Sequence, residues 1–280
     1  MNTFNILDFG AVADAVTNNA KSIQKAIDAA SSCNGTVIVP RGEFLSGTLV
    51  LKSNIDLHLE KGAVLISSLN EEDILDFAKL FEDDNACTGW DGGCFLFACH
   101  EKNITISGEG TIYGQGDKVF FDDNADGGYH ECPLNVAAFR PRTTFFEDVE
   151  NLTVRDITFK DAAFWTLHMA GCREVSVLDI KILNDVRGAN NDGIDPDCCK
   201  DVIIRGCMIK TGDDAIVIKT TKPMSERYGA AENIVISDCI LCSHDSALKI
   251  GSETHGDIRN IIVSGCIIKD CSRSIRIWAG

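Results

Sequence analysis

A short unit recurs along this chain: a polar residue, then apolar-x-apolar. It reads Asn103-Ile-Thr-Ile, Asn151-Leu-Thr-Val, Glu174-Val-Ser-Val, Asp201-Val-Ile-Ile, Asn233-Ile-Val-Ile and Asn260-Ile-Ile-Val. Successive polar anchors lie 48, 23, 27, 32 and 27 residues apart, and 48 is about two of the shorter periods. Alternation over four residues signals a half-buried strand. The next two residues, often ending in Gly or Asp, make a bend before a second short strand. One such unit cannot bury its apolar face alone, whereas stacked units of roughly 20–30 residues bury a continuous core, which is a parallel β-helix. Equivalent positions then form inward ladders. Six residues past the anchors stand Ile157, Ile180, Cys207, Cys239 and Cys266, and two residues before them stand Cys172 and Cys199. These cysteines therefore read as small buried hydrophobes.

The thirteen cysteines are too many to pass over. A disulfide framework belongs to short secreted chains, but this chain has 280 residues, the cysteine number is odd, and no signal segment is visible at the start. A reducing, cytoplasmic compartment is expected, or secretion if the N-terminus has been processed. No two CxxC units stand at zinc-ligand spacing, and the adjacent Cys198-Cys199 is sterically poor for a shared ion. No metal role is expected for the cysteines. No run of 18 apolar residues exists, so no membrane span is expected. The formal charge of −16 argues against nucleic acid, which wants a basic face. A polyanionic substrate would need a local basic patch.

The first fifty residues differ from the rest. Ile23, Ala26, Ile27 and Ala30 share one helical face after Asn18-Asn19, a fair N-cap pair. Gly35 ends the helix, and Thr36-Val-Ile-Val-Pro40 follows. This amphipathic segment suits a cap over the first coil. Expected is one domain over residues 1–280, with residues 1–48 as cap and first strands and residues 49–280 as coils. The sequence stops inside a strand pattern at Ile275-Arg-Ile-Trp-Ala-Gly280. An uncovered last coil is an edge liability, so either the native chain continues or a partner, self-association included, covers it.

Most acidic residues of such a chain are solvated surface. Three clusters break that pattern because they fall at similar phase on consecutive coils. They are Asn190-Asn191-Asp192-Gly193-Ile194-Asp195-Pro196-Asp197, Thr211-Gly212-Asp213-Asp214, and Ser243-His244-Asp245-Ser246 running on to Lys249 and Glu253. Asp213 lies twelve residues past its anchor and His244 eleven. Stacked strands sit about 4.8 Å apart, so these side chains converge on one outer face. Crowded carboxylates cannot all ionise normally, and one is held protonated near neutrality. That places an acid beside a base, as glycosidic cleavage requires. The same oxygens could equally form a calcium site.

Asn190-Asn-Asp192-Gly-Ile-Asp195, Gly212-Asp213-Asp214 and Arg276-Ile-Trp278 resemble the motif series of glycoside hydrolase family 28, the polygalacturonase family. Its order is Asn-Thr-Asp, Asp-Asp, Gly-His-Gly and Arg-Ile-Lys. The opening Phe9-Gly-Ala…Asp14…Ile23-Gln-Lys-Ala26-Ile-Asp28-Ala is similar to the first segment of pectin-active β-helices, so the resemblance covers nearly the whole chain. It implies an all-β, right-handed parallel β-helix and cofactor-free hydrolysis of pectin-type saccharides with inversion. By position, Asp213 resembles the general acid, and Asp192 and Asp214 the pair that activates water. Arg276 resembles the arginine that pairs with a sugar carboxylate, a contact suited to a guanidinium fork. Asn190 belongs to the same motif. His168, in Phe164-Trp-Thr-Leu-His168, is similar to a subsite residue of bacterial members, and a structural histidine is the equal alternative.

Two positions depart from the pattern. Ser243-His244-Asp245-Ser246 stands for Gly-His-Gly, and the family histidine falls nearer Asp245, so His244 needs a one-residue bulge to act in catalysis. Trp278 replaces the family lysine, exchanging a carboxylate contact for an aromatic platform, and Lys219 and Lys249 on neighbouring strands are the candidates to supply the missing charge. The expected activity is thus a hydrolase on a carbohydrate substrate. The rivals are a calcium-dependent polysaccharide lyase on the same fold and a non-catalytic glycan-binding or structural solenoid.

Overall fold

The computed structural model describes residues 2–76, 93–121, 134–136 and 139–278. Three parallel sheets run the length of the stack. The first has nine strands, from Thr3–Asn5 to Ile258–Ser264. The second has eight, from Gly42–Ser46 to Ile267–Ile268, and the third has eight, from Leu49–Val50 to Arg273–Ile277. Each coil visits the three sheets in turn, as in Arg173–Leu178, Lys181–Leu183 and Ile194–Asp197. The fold is an all-β parallel solenoid.

The repeat read from the sequence is the register of the first sheet. Leu152, Val175, Val202, Ile234 and Ile261 pair in one column, and Val154, Val177, Ile204, Ile236 and Val263 in the next inward-facing one. The polar anchors have a backbone cause. Asn103, Asn151, Glu174, Asp201, Asn233 and Asn260 all have φ between 54° and 59°, the left-handed region that Asn and Asp tolerate best after glycine. Five residues on, Asp156, Asp179, Gly206, Asp238 and Gly265 are left-handed as well. The two left-handed residues flank residues 152–154, 175–177, 202–204, 234–236 and 261–263 of the first sheet. The anchors also bond to one another along the stack: the Asn151 amide donates to Asn103, Asn233 to Asp201 and Asn260 to Asn233, each at 2.9 Å.

Inside, one core of aliphatic, Phe and Cys side chains runs from Ile6 to Leu248. Cys172, Cys199, Cys207 and Cys239 are buried in it, and all eleven described cysteines are free thiols. Their Sγ–H groups reach backbone carbonyls, as Cys199 does to Met169 O at 3.2 Å. Helix α1 (Ala20–Ser31) buries Ile23, Ala26, Ile27 and Ala30 over the first coil. Asn18, not Asn19, makes its side-chain cap, with Oδ1 accepting from Ala20 N–H at 2.9 Å. Asn19 instead ties the helix start to Val12, Thr17 and Leu45. A second helix, α2 (Lys222–Tyr228), lies outside the third sheet, where Met224 and Tyr228 pack with Phe97, Phe145 and Ala170. At the far end Ile262, Ile267, Ile275, Ile277 and Trp278 are exposed. Among the described residues no helix is long and apolar enough to cross a membrane.

Candidate active site

The turn from the second sheet into the third builds the site. Asp192 precedes the strand Ile194–Asp197, and Asp213-Asp214 join Met208–Thr211 to Ile216–Thr220. Ile194 pairs with Ile216, so equal spacing stacks Asp192 beside Asp214 on adjacent coils. Gly193 N–H donates to Asp214 O at 2.9 Å and locks that alignment. Asn191 fixes the next turn: its Oδ1 accepts from the backbone N–H groups of Gly212 and Asp213 at 2.7 and 3.2 Å. Gly212 is needed there because a Cβ would sit 2.4 Å from Gly188 O.

One carboxylate oxygen each from Asp192, Asp213 and Asp214 lies within 4.8 Å of the other two. They line a cleft of about 370 Å³ with Arg140, Asn190, Phe164, Trp165, Lys219, Lys249, Ser252 and Glu253. Asp192 and Asp214 are almost wholly buried, and Asp213 is partly exposed. Burial, with the Asp213 and Asp195 charges beside it, pushes Asp192 well above the usual carboxylate range. Burial and the Asp213 charge raise Asp214 to about 6, against the pull of Lys249. Oδ1 of Asp192 and Oδ1 of Asp214 are buried and have no hydrogen-bond partner among the described residues. Asp213 is aimed by its neighbours: Asn190 Nδ2 donates to its Oδ2 at 3.4 Å, and its Oδ1 accepts from Asp214 N–H at 2.9 Å.

Lys219 and Lys249 sit under the carboxylates rather than out toward solvent. Lys219 Nζ is 3.8 Å from Asp192, 3.7 Å from Asp195 and 3.2 Å from Glu253, and 4.1 Å above the Trp165 ring. Burial alone would discharge it; the surrounding Asp192, Asp195, Glu253 and Asp214 outweigh that and raise its pKa. Lys249 Nζ pairs with Asp214 Oδ2 at 2.7 Å. Both ammonium groups neutralise acids of the site itself.

His168 lies beneath the cleft floor, edge-on to Phe145 and Trp165 with ring centroids 4.8 Å away in each case. It is buried, and that burial lowers its pKa to about 4 despite Asp197 3.7 Å away. A neutral packed imidazole follows. His244 does not reach the cleft. Thr211 pairs with Ser243 and Ile216 with Leu248, a constant offset with no bulge between, so His244 stacks on Gly212 and Asp245 on Asp213. Arg276 and Trp278 stand one coil beyond, stacked on each other at 4.2 Å, with Arg276 3.6 Å from Asp245. Neither lines the cleft.

Three contributors were given no role from the sequence. Asp195 stands in the same motif as Asp192, but it points from the strand into the protein, fully buried, and burial raises it to about 8. Its pairing with His168 in the register of the third sheet is the signal that could have exposed it. Arg140 belongs to no repeat unit, and Glu253 reaches Lys219 from the coil above; no periodicity marks either.

The family model of glycosyl hydrolases family 28 matches residues 32–279. A probable polygalacturonase of Vitis vinifera is 28% identical over 225 residues, covering 77% of this chain and 44% of its own length. An exo-poly-alpha-D-galacturonosidase of Dickeya chrysanthemi is 28% identical over 259 residues, covering 76% of this chain and 41% of its own. The chain thus spans less than half the length of either. Among solved structures, the exopolygalacturonase of Thermotoga maritima superposes with a TM-score of 0.81 at 27% identity, over 99% of this chain and 68% of that one. The polygalacturonase of Erwinia carotovora superposes with 0.75 at 25% identity, over 99% and 72%. By the extent of the family match, this chain belongs to glycosyl hydrolases family 28.

Proposed function

We propose that the cleft hydrolyses glycosidic bonds in galacturonic-acid-containing poly- or oligosaccharides with inversion at the anomeric carbon. Asp213 is the general acid: it is the least buried of the three carboxylates and gives its proton to the departing glycosidic oxygen as the C–O bond breaks. Asp192 and Asp214, which line the cleft beside Asp213, hold the attacking water, and the pair takes up its proton as the new C–O bond forms. The observation that carries this reading is the grouping of three carboxylate oxygens within 4.8 Å in one cleft. Crowding keeps a proton on the cluster near neutrality, so acid and base coexist. The polygalacturonase and exopolygalacturonase names of the relatives point to the same substrate class.

A calcium-dependent lyase would recruit the same oxygens. Lys249 at 2.7 Å from Asp214 and Lys219 at 3.8 Å from Asp192 already supply cationic charge there, which favours hydrolysis without metal. The free thiols of the core favour a reducing compartment. Incubation with polygalacturonate and its oligomers, followed by product analysis, tests the reading. Saturated products with new reducing ends are expected, and unsaturated ones would assign a lyase.

A further inference from the structure

An acidic protein of formal charge −16 acting on a polyuronate needs a cation that is not already spent on its own acids. Lys219 and Lys249 are buried against Asp192, Asp195, Glu253 and Asp214. Arg273 and Arg276 both face Asp245. Arg140 differs. It lines the cleft, stacks on Phe164 with its guanidinium carbon 4.4 Å from the ring centroid, and has no carboxylate ion-pair partner among the described residues. Its Nη1 donates to Ala189 O at 2.5 Å and its Nη2 to Asn190 Oδ1 at 2.8 Å. A guanidinium has five N–H donors, so three are left without an acceptor among the described residues.

We infer that Arg140 is a specificity-determining residue that binds a sugar carboxylate of the substrate at the wall of the cleft, on the side of Asp213 held by Asn190. The inference rests on the uronate-hydrolase reading above. Asn190 ties the two ends together: its carbonyl accepts from Arg140 and its amide donates to Asp213, the one orientation of the amide that satisfies both. A carboxylate held on Arg140 therefore lies a single amide away from the group that protonates the leaving oxygen. Phe164, stacked on Trp165 with rings 5.7 Å apart and 8° from coplanar, gives the guanidinium an aromatic face to stack on. Arg140 loses some of its cationic preference to burial, and the Asp192 and Asp213 charges act against that loss. An anionic ligand would strengthen the same balance. A planar fork on an aromatic face suits bidentate carboxylate binding better than lysine would.

The test is Arg140→Gln, with Arg140→Lys beside it, assayed on oligogalacturonate and on the same oligomer with its carboxylates reduced to neutral alcohols. The readout is the ratio of kcat/KM between the two substrates. Arg140→Gln should lower that preference by about 10- to 100-fold, as loss of a charge-assisted pair does. The loss should fall mainly on KM for the anionic oligomer, and Arg140→Lys should recover only part of it. An unchanged preference in a folded Arg140→Gln enzyme overturns the inference. If the wild type cleaves neither oligomer, the hydrolase reading fails, and calorimetric titration of oligogalacturonate decides Arg140 by itself. Equal affinity of wild type and Arg140→Gln would refute the site, and a 10-fold or larger loss would sustain it.

Discussion

Lys249 Nζ stands 2.7 Å from Asp214 Oδ2, and both side chains are buried. Burial and the neighbouring Asp213 charge push Asp214 up, Lys249 pulls it back, and the balance is about 6. Lys249 therefore holds Asp214, proposed to activate the water, ionised at neutral pH. Lys249→Met removes that pull. Asp214 then titrates higher, and the acidic limb of the kcat/KM profile should move up by about one pH unit or more. The fold should weaken as well, by roughly 3–5 kcal/mol, the usual result of stripping one partner from a buried ion pair. A pH profile whose acidic limb stays in place would show that Asp214 is not the titrating base.

Asp195 connects the site to stability. Its carboxyl is raised to about 8 by burial, with Lys219 opposing, whereas in the unfolded chain it ionises near 3.8. A raised carboxyl contributes stability that is fully present below the unfolded value and is lost as pH rises through the folded one. Asp195→Asn cannot titrate. Its stability relative to wild type should therefore improve steadily from about pH 4 to about pH 8, by roughly 5 kcal/mol over the range. Denaturant melts of both proteins across that range measure it; a difference that stays flat, or runs the other way, would mean Asp195 is ionised in the folded state.

The laddered cysteines give a third expectation. Cys94, Cys172, Cys198, Cys199, Cys207 and Cys239 are buried, while Cys33 is exposed. Burial raises the Cys198 and Cys199 thiols far above their ordinary value, which leaves little thiolate to react. Alkylation of native protein should modify Cys33 first and leave the six buried thiols untouched until unfolding. Early labelling of Cys199 would contradict the inward ladder.

The solenoid was legible because its cause is local. From Asn103 onward the coils carry two left-handed residues around the first-sheet strand, and Asn, Asp and Gly recur there at fixed spacing, with Val and Ile alternating between them. The carboxylate cluster was legible for the same reason: Asp192, Asp213 and Asp214 share a phase against those anchors. What failed to show was set by neighbours on other coils. Nothing near Lys219 or Lys249 in sequence says that each turns inward to an acid on a different turn of the stack. The offset from Thr211–Ser243 to Ile216–Leu248 is uninterrupted, so His244 stays over Gly212; a bulge there could be imagined from the sequence but not ruled out. Arg140 reaches Asn190 across fifty residues of chain, beyond any local pattern.

The central claim is that Asp213 protonates a glycosidic leaving group in a hydrolytic reaction. Asp213→Asn keeps the volume and an acceptor for Asn190 but removes the transferable proton, and general acid assistance is worth about 10²–10⁴ in rate. The most direct measurement is turnover of oligogalacturonate by wild type and Asp213→Asn, followed by reducing ends and by ultraviolet absorbance together. The wild type should release reducing ends without unsaturated product, and the variant should lose about 10³–10⁴ of kcat with its fold intact. Near-normal turnover in the variant, rescue of the variant by calcium, or an unsaturated product from the wild type would contradict the account.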